Sequence, residues 1–198
     1  DFEFPNEEGL PYKSNGGAFV DSELGRIPKK WSVKTIADVA ELTAGGDKPS
    51  VVANKPTGEC SVPIFSNGIS DEGLYGYTTN AKIFKESVTI SARGTIGFVR
   101  LRQEPFLPIV RLITATPKTD FVSAKYLYLL LLDKNISGTG TTQQQLTVPD
   151  FGRYELIVPT LSVIKNFNKI ANIIYDNITF LRHENENLES LRDTFLPK

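Results

Sequence analysis

Methionine does not occur in this chain, and cysteine, histidine and tryptophan occur once each in 198 residues. Since position 1 also lacks methionine, the sequence is expected to be a fragment or a processed chain. A lone Cys60 cannot close an internal disulfide, which together with the absence of a leader before Asp1 predicts a reducing, cytoplasmic setting. One histidine and one cysteine cannot supply a set of soft zinc ligands, a Cys–His pair or a Ser-His-Asp triad. His183, between Arg182 and Glu184, is expected on a solvated helix face. No GxGxxG occurs, and Gly138-Thr-Gly140 lacks a following Gly-Lys-Ser/Thr, so it reads as a flexible loop and not a phosphate cradle. Pro149-Asp150 has no Glu-x-Lys after it to hold magnesium, and the glycine-rich and proline-rich loops of a methyltransferase are missing. No apolar run approaches the roughly 18 residues of a membrane span. These absences predict a non-catalytic chain with no metal, no cofactor and no membrane segment.

Forty per cent of the residues are hydrophobic and 10% aromatic, enough for one core plus a projecting element. Net charge is only −1, but it is unevenly placed. Residues 1–29 carry three basic and six acidic side chains, residues 30–130 twelve and nine, residues 131–198 seven and eight. The middle block is therefore mildly basic, a weak pointer on its own to an acidic partner.

From Pro159 to Pro197 no glycine or proline intervenes, and Phe167, Ala171, Ile174, Ile178, Leu181, Asn185, Leu188, Arg192 and Phe195 recur at alternating spacings of four and three. As heptads, Ala171, Ile178, Asn185 and Arg192 take a, and Ile174, Leu181, Leu188 and Phe195 take d, which is the seam of a coiled coil. A helix over 162–195 would be roughly 50 Å long. Polar Asn185 and Arg192 at a weaken the seam while fixing register. An amphipathic helix folded onto its own domain would use a similar, wider stripe.

Ahead of that helix, residues 1–30 are rich in Gly, Pro, Asn and Glu and read as an extended arm rather than a packed element. Residues 31–158 read as a compact α+β domain with many short strands, and 159–198 as the long helix. Within the domain we expect a short helix over 35–40, a turn over 43–50, and strands over 63–66, 81–84, 88–92, 97–101 and 109–115. A helix over 124–133 capped by Ser123 follows, then a strand over 154–158.

Three polar segments could serve recognition. Residues 65–80 place Ser66, Asn67, Tyr75, Tyr77, Thr78, Thr79 and Asn80 on glycine-permitted turns, or form an ordinary hairpin loop. Residues 91–97 end a strand with Arg93 and Thr95, where Arg93 could fork onto guanine or phosphate, or pair a carboxylate. Residues 139–145 put three glutamines beside threonines, suited to adenine edges or to plain solvent.

In their order these segments resemble the specificity subunits of type I restriction-modification enzymes. The likeness rests on Gly25-Arg-Ile-Pro-Lys-Lys-Trp31, Ser91-Ala-Arg-Gly-Thr-Ile-Gly97, Lys125-Tyr-Leu-Tyr128, Gly138 through Gln145-Leu-Thr147, Val158-Pro-Thr-Leu161 and Leu188-Glu-Ser-Leu-Arg-Asp-Thr-Phe-Leu-Pro-Lys198. It implies one target-recognition domain and its connecting helix, the latter pairing with the other half of a subunit or a second copy. It further implies double-stranded DNA as ligand, with one domain reading half of a bipartite site while modification and restriction subunits methylate adenine and cut. The family often has Glu-Gln where Val163-Ile164 stands here, which puts a partner contact at the head of the helix in question. For base contacts we take Ser66, Asn67, Tyr77, Thr78, Thr79, Arg93, Thr95, Thr142, Gln143 and Gln144, and for phosphate Lys48, Lys82, Lys85 and Arg100. A coiled-coil adaptor that binds only proteins is the alternative.

Overall fold

A computed structural model describes residues 2–6, 8–118, 121–138 and 144–196. Thr142 and Gln143 lie outside the described residues. The element order is β1 (Phe19–Val20), β2 (Ile27–Pro28), β3 (Ser32–Thr35), α1 (Ile36–Val39), β4 (Ala40–Ala44), β5 (Val62–Phe65), a 3-10 turn (Ser70–Gly73), β6 (Leu74–Thr78), β7 (Ser87–Ile90), β8 (Val99–Arg102), β9 (Leu107–Pro108), β10 (Ile113–Pro117), α2 (Ala124–Leu132), α3 (Val148–Gly152), β11 (Glu155–Val158) and α4 (Leu161–Phe195). This is the mixed strand and helix class that the sequence predicts, closed by the long helix.

The centre is an antiparallel sheet in the order β4-β10-β7-β8. Alternation along its strands gives it two unlike faces. Val88, Ile90, Val99, Ile113 and Ala115 fall on one face, where Leu127 and Leu131 of α2, Phe151 of α3 and Leu156 and Val158 of β11 complete the apolar core. The near-continuous leucines of α2 and its cap, in which Ser123 Oγ accepts from Tyr126 N, follow the sequence expectation. Ser87, Thr89, Thr114, Thr116, Arg100 and Arg102 occupy the other face.

Burying that polar face requires a cover that satisfies it. The small sheet β6-β5-β9 and the 3-10 turn before β6 do so in part: the Arg102 guanidinium lies 3.5 Å from the centroid of the Phe65 ring and an Nη donates to the Glu72 carbonyl, while Nε donates within the central sheet to Thr89 Oγ1 at 3.1 Å. Arg102 is buried, and burial lowers its pKa to about 10. Two hydrogen bonds and an aromatic face make this buried cation tolerable.

Several expectations change. The arm is a packed element: Phe4 stacks between Tyr12 and Trp31 at centroid distances of 4.7 and 4.9 Å, Phe2 meets Trp31 edge-on, and Tyr12 packs against Phe19. The aromatic rings outweigh the turn-forming residues between them, because each buries far more apolar area than a Gly or Asn can. Residues 81–84 form no strand, only a single bridge from Ile83 to Phe106. Strand β6, by contrast, runs through what its glycines suggested was loop, because Gly76 lets the backbone approach that of Ala53, whose carbonyl a Cβ would meet at 2.8 Å.

The long helix does two things at once. Ile164, Phe167, Ala171, Tyr175 and Thr179 face the domain: Phe167 packs edge-on against Tyr126, Tyr175 against Tyr128, and Thr179 Oγ1 donates to Gln103 Oε1 at 3.1 Å. Phe167 and Ala171, expected at the seam, therefore cover their own domain. Ile174, Ile178, Leu181, Leu188 and Phe195 stay exposed, as do Asn185 and Arg192. A seam of period 3.5 on a helix of period 3.6 drifts around the axis, so its first turns lie over the domain and its later turns leave it. Among the described residues no helix is long and apolar enough to cross a membrane.

Candidate nucleic-acid interface

One end of the central sheet gathers the loops that the sequence marked for recognition. The register puts Ala44, Ile113, Ile90 and Val99 side by side, so the segments leaving β4, entering β10 and joining β7 to β8 all emerge there. The stretch after β5 joins them, since Ile109 N donates to Phe65 O.

Asn67 fastens these loops together. Its Oδ1 accepts from Ala92 N at 2.7 Å and its Nδ2 donates to Val110 O at 2.6 Å. Both ends of its amide are thus engaged internally, and its predicted role becomes that of a bracket beneath the surface. Arg93 is exposed on the loop that Asn67 holds, and its Nη2 donates to Gln145 Oε1 at 2.9 Å. That contact ties the β7–β8 loop to the glutamine segment, with Gln144 exposed beside it. A neutral amide is the weakest competitor for a guanidinium, so Arg93 can exchange it for a base edge or phosphate. Lys48 lies on the loop after β4, its ammonium 4.7 Å from the Tyr75 ring centroid and otherwise in solvent.

Other expected residues stand elsewhere. Thr78 is buried, its hydroxyl donating to Val51 O at 2.8 Å, so it cannot reach a partner. The Thr95 hydroxyl oxygen is buried with no partner among the described residues, inside the β7–β8 loop. Ser66 is half-buried, its N–H donating to Gly73 O, while Thr79 is exposed and accepts from Asn80 Nδ2. Lys85 is exposed just before β7, at the opposite end of the sheet, and Lys82 lies beside Phe106 to which its N–H donates. Arg100 points into the structure: its Nη2 is 3.2 Å from Glu72 Oε1, the same oxygen that Arg182 of α4 approaches at 3.2 Å. It is a structural ion pair rather than a free cation.

Tyr77 faces a cleft of about 510 Å³ between the small sheet, the end of β8 and α4. Burial, helped by Glu186 and Glu104, raises its phenol pKa. His183 is exposed on the helix face, as expected, with Glu104 Oε1 3.6 Å from its Nε2.

Comparison with known proteins gives this arrangement a family. Residues 28–190 match the family described as the type I restriction modification DNA specificity domain. The chain belongs to that family. Specificity-subunit relatives include two Mycoplasma pneumoniae proteins carrying the names S.MpnORF89P and S.MpnORF507P. The first is 32% identical over 147 residues, 74% of this chain and 44% of the relative; the second is 34% identical over 137 residues, 69% of this chain and 37% of the relative. The chain thus spans less than half the length of these relatives. A solved type I specificity subunit from M. genitalium shares the fold, with a TM-score of 0.58 at 23% identity over 83% of this chain and 42% of the other.

Residues missed by sequence reasoning in this specificity domain include Glu72 and the pair Val110-Arg111. Asp71, Glu72, Val110 and Arg111 all have positive φ, at 45°, 56°, 52° and 64°. None is Gly, Asn or, apart from Asp71, a residue that signals a left-handed turn, so composition gave no warning. Among the described residues no group of three metal-binding side chains occurs.

Proposed function

We propose that this chain reads one half of a bipartite duplex DNA site as the non-catalytic specificity component of a type I restriction-modification complex. In that complex, partner subunits carry adenine methylation and cleavage. The observation that supports this best is the convergence of Arg93, Gln145, Gln144 and Lys48 on loops at one end of the sheet, held in place by Asn67. Arg and Gln are the side chains whose paired donors and acceptors match guanine and adenine edges in the major groove, and Lys48 adds phosphate affinity. The exposed stripe Ile174, Ile178, Leu181 and Leu188 supports a second role, pairing with another long helix of a second half-subunit or second copy. Pairing would set the distance between two reading domains.

Expression with a modification subunit, followed by sequencing of adenine methylation with and without this chain, tests the proposal. A new methylated motif that depends on the chain is expected. An unchanged methylation pattern, with the chain still bound to its partners, would instead favour a protein-only adaptor.

A further inference from the structure

The turn between β9 and β10 carries more backbone strain than any connection it needs to make. Val110 and Arg111 are successive left-handed residues at φ 52° and 64°, and Val110 is β-branched, the residue class least suited to that region. Strain of this kind persists only where its surroundings dictate it. Here they do: Ile109, Val110, Arg111 and Leu112 donate their N–H groups to Phe65, Gly46, Gly45 and Ile109 carbonyls at 2.8–3.1 Å, and Asn67 Nδ2 caps the Val110 carbonyl. Gly45 approaches so closely that a Cβ on it would meet the Ile109 backbone at 2.7 Å.

What the turn holds out is free. Val110 is 48% exposed, and Arg111 is exposed, its guanidinium making no hydrogen bond or ion pair to any described residue. Arg100, Arg102, Arg153, Arg182 and Arg192, by contrast, each meet a carboxylate or a buried acceptor. Through Asn67 the turn is tied to the loop that bears Arg93, so both guanidiniums belong to the same surface.

We infer that Val110-Arg111 is a base-reading element of this chain, with the Arg111 guanidinium forking onto a guanine edge and the Val110 methyls against the thymine methyl of a neighbouring pair. The inference rests on the DNA-reading function proposed above. A phosphate contact tolerates a flexible, adaptable cation; a bidentate contact to O6 and N7 needs its side chain launched from a fixed direction, which this clamped turn provides. The valine beside it supplies apolar surface of the kind that distinguishes thymine from cytosine.

The test is selection from a randomised duplex pool at low salt, using the full chain and its Arg111→Gly and Val110→Gly variants. Glycine is the residue that left-handed φ favours, so both variants keep the turn while removing the side chain. Arg111→Gly should flatten the guanine preference at one position, with a loss of about tenfold to a hundredfold on the wild-type site. Preferences at other positions should be preserved, and affinity for unselected duplex should fall far less than affinity for the wild-type site. Val110→Gly should relax a thymine preference next to it. Unchanged profiles would overturn the inference, as would a uniform loss across all sequences, which marks a phosphate contact. A wild-type chain that selects no sequence would overturn the DNA-reading function itself, a distinct result.

Discussion

The Arg182 guanidinium on α4 meets the Glu72 carboxylate at 3.2 Å across 110 residues of sequence, and Arg100 of β8 shares the same oxygen. Glu72 also offers its carbonyl to buried Arg102. One residue in a left-handed turn thus couples the polar face of the central sheet to the sixth turn of the long helix.

Removing that charge should loosen the helix without unfolding the chain. All three side chains are partly open to solvent, so Glu72→Gln should cost no more than about 1 kcal/mol of global stability. Hydrogen exchange should nevertheless quicken over residues 179–186 while residues 164–172 keep their protection. High salt should shrink the difference between variant and wild type.

Thr35 and Asp38 close a capping box at α1, with the Thr35 hydroxyl and N–H both donating to Asp38 Oδ2 at 2.7 and 2.9 Å. These hydrogen bonds, the hydroxyl's first, hold the Asp38 carboxyl below the usual 3.8. Because the folded value is the lower one, the stabilisation is complete above the unfolded value and is lost as pH falls through the folded one. Asp38→Asn should therefore lower Tm at pH 7, and the two melting curves should converge as the pH drops below about 3.8.

The two sides of α4 should answer differently to an introduced charge. Leu181→Asp, on the exposed stripe, should stay folded and melt within about 0.5 kcal/mol of wild type while losing any helix-mediated association in sedimentation. Ala171→Asp, buried against the domain, should destabilise by several kcal/mol. Unchanged sedimentation of Leu181→Asp relative to an oligomeric wild type would count against the seam.

Asn67→Ala leaves the Ala92 N–H and the Val110 carbonyl without partners. A loss of about 1–2 kcal/mol in urea denaturation is expected, chiefly from the part-buried Ala92 N–H, because water can reach the Val110 carbonyl.

Position along the sheet separates the lysines. Lys48→Ala, beside the loops, should weaken cognate and scrambled duplex alike and reduce the salt slope by about one. Lys85 lies beyond the far end of β7, five residues or roughly 17 Å from Ile90 along the strand direction, so Lys85→Ala should leave the slope unaltered.

How far the sequence revealed this structure depended on whether the signal was local. Thr35, Ser123 and the uninterrupted stretch after Pro159 carry their own helix signals, and those elements stand where they were expected. The Thr147-Val-Pro-Asp150 cap of α3 is equally local, yet the sequence expectation weighed Pro149-Asp150 only against a magnesium site and had no helix there. Tertiary placement was not local. Nothing in the spacing of Phe167 and Ala171 says that Tyr126 and the domain cover them while Leu181 faces away, because a stripe does not name its partner. The same holds at the site: Asn67 and Thr78 look like surface polar residues until Val110, Ala92 and Val51 are brought to them by the fold. Val110 and Arg111 were illegible for the opposite reason, since surrounding backbone forces on them a conformation that neither residue prefers.

The packing of α4 makes it a lever. Phe195 lies roughly 46 Å along the axis from Ile164, so a tilt of about 4° there would carry it by roughly 3.2 Å, close to one base step. Any partner gripped at the far end inherits its angular precision from Ala171, Tyr175 and Arg182. Under the proposed pairing, a seating error of that size would shift the footprint on DNA by about one base step, even with every reading loop intact.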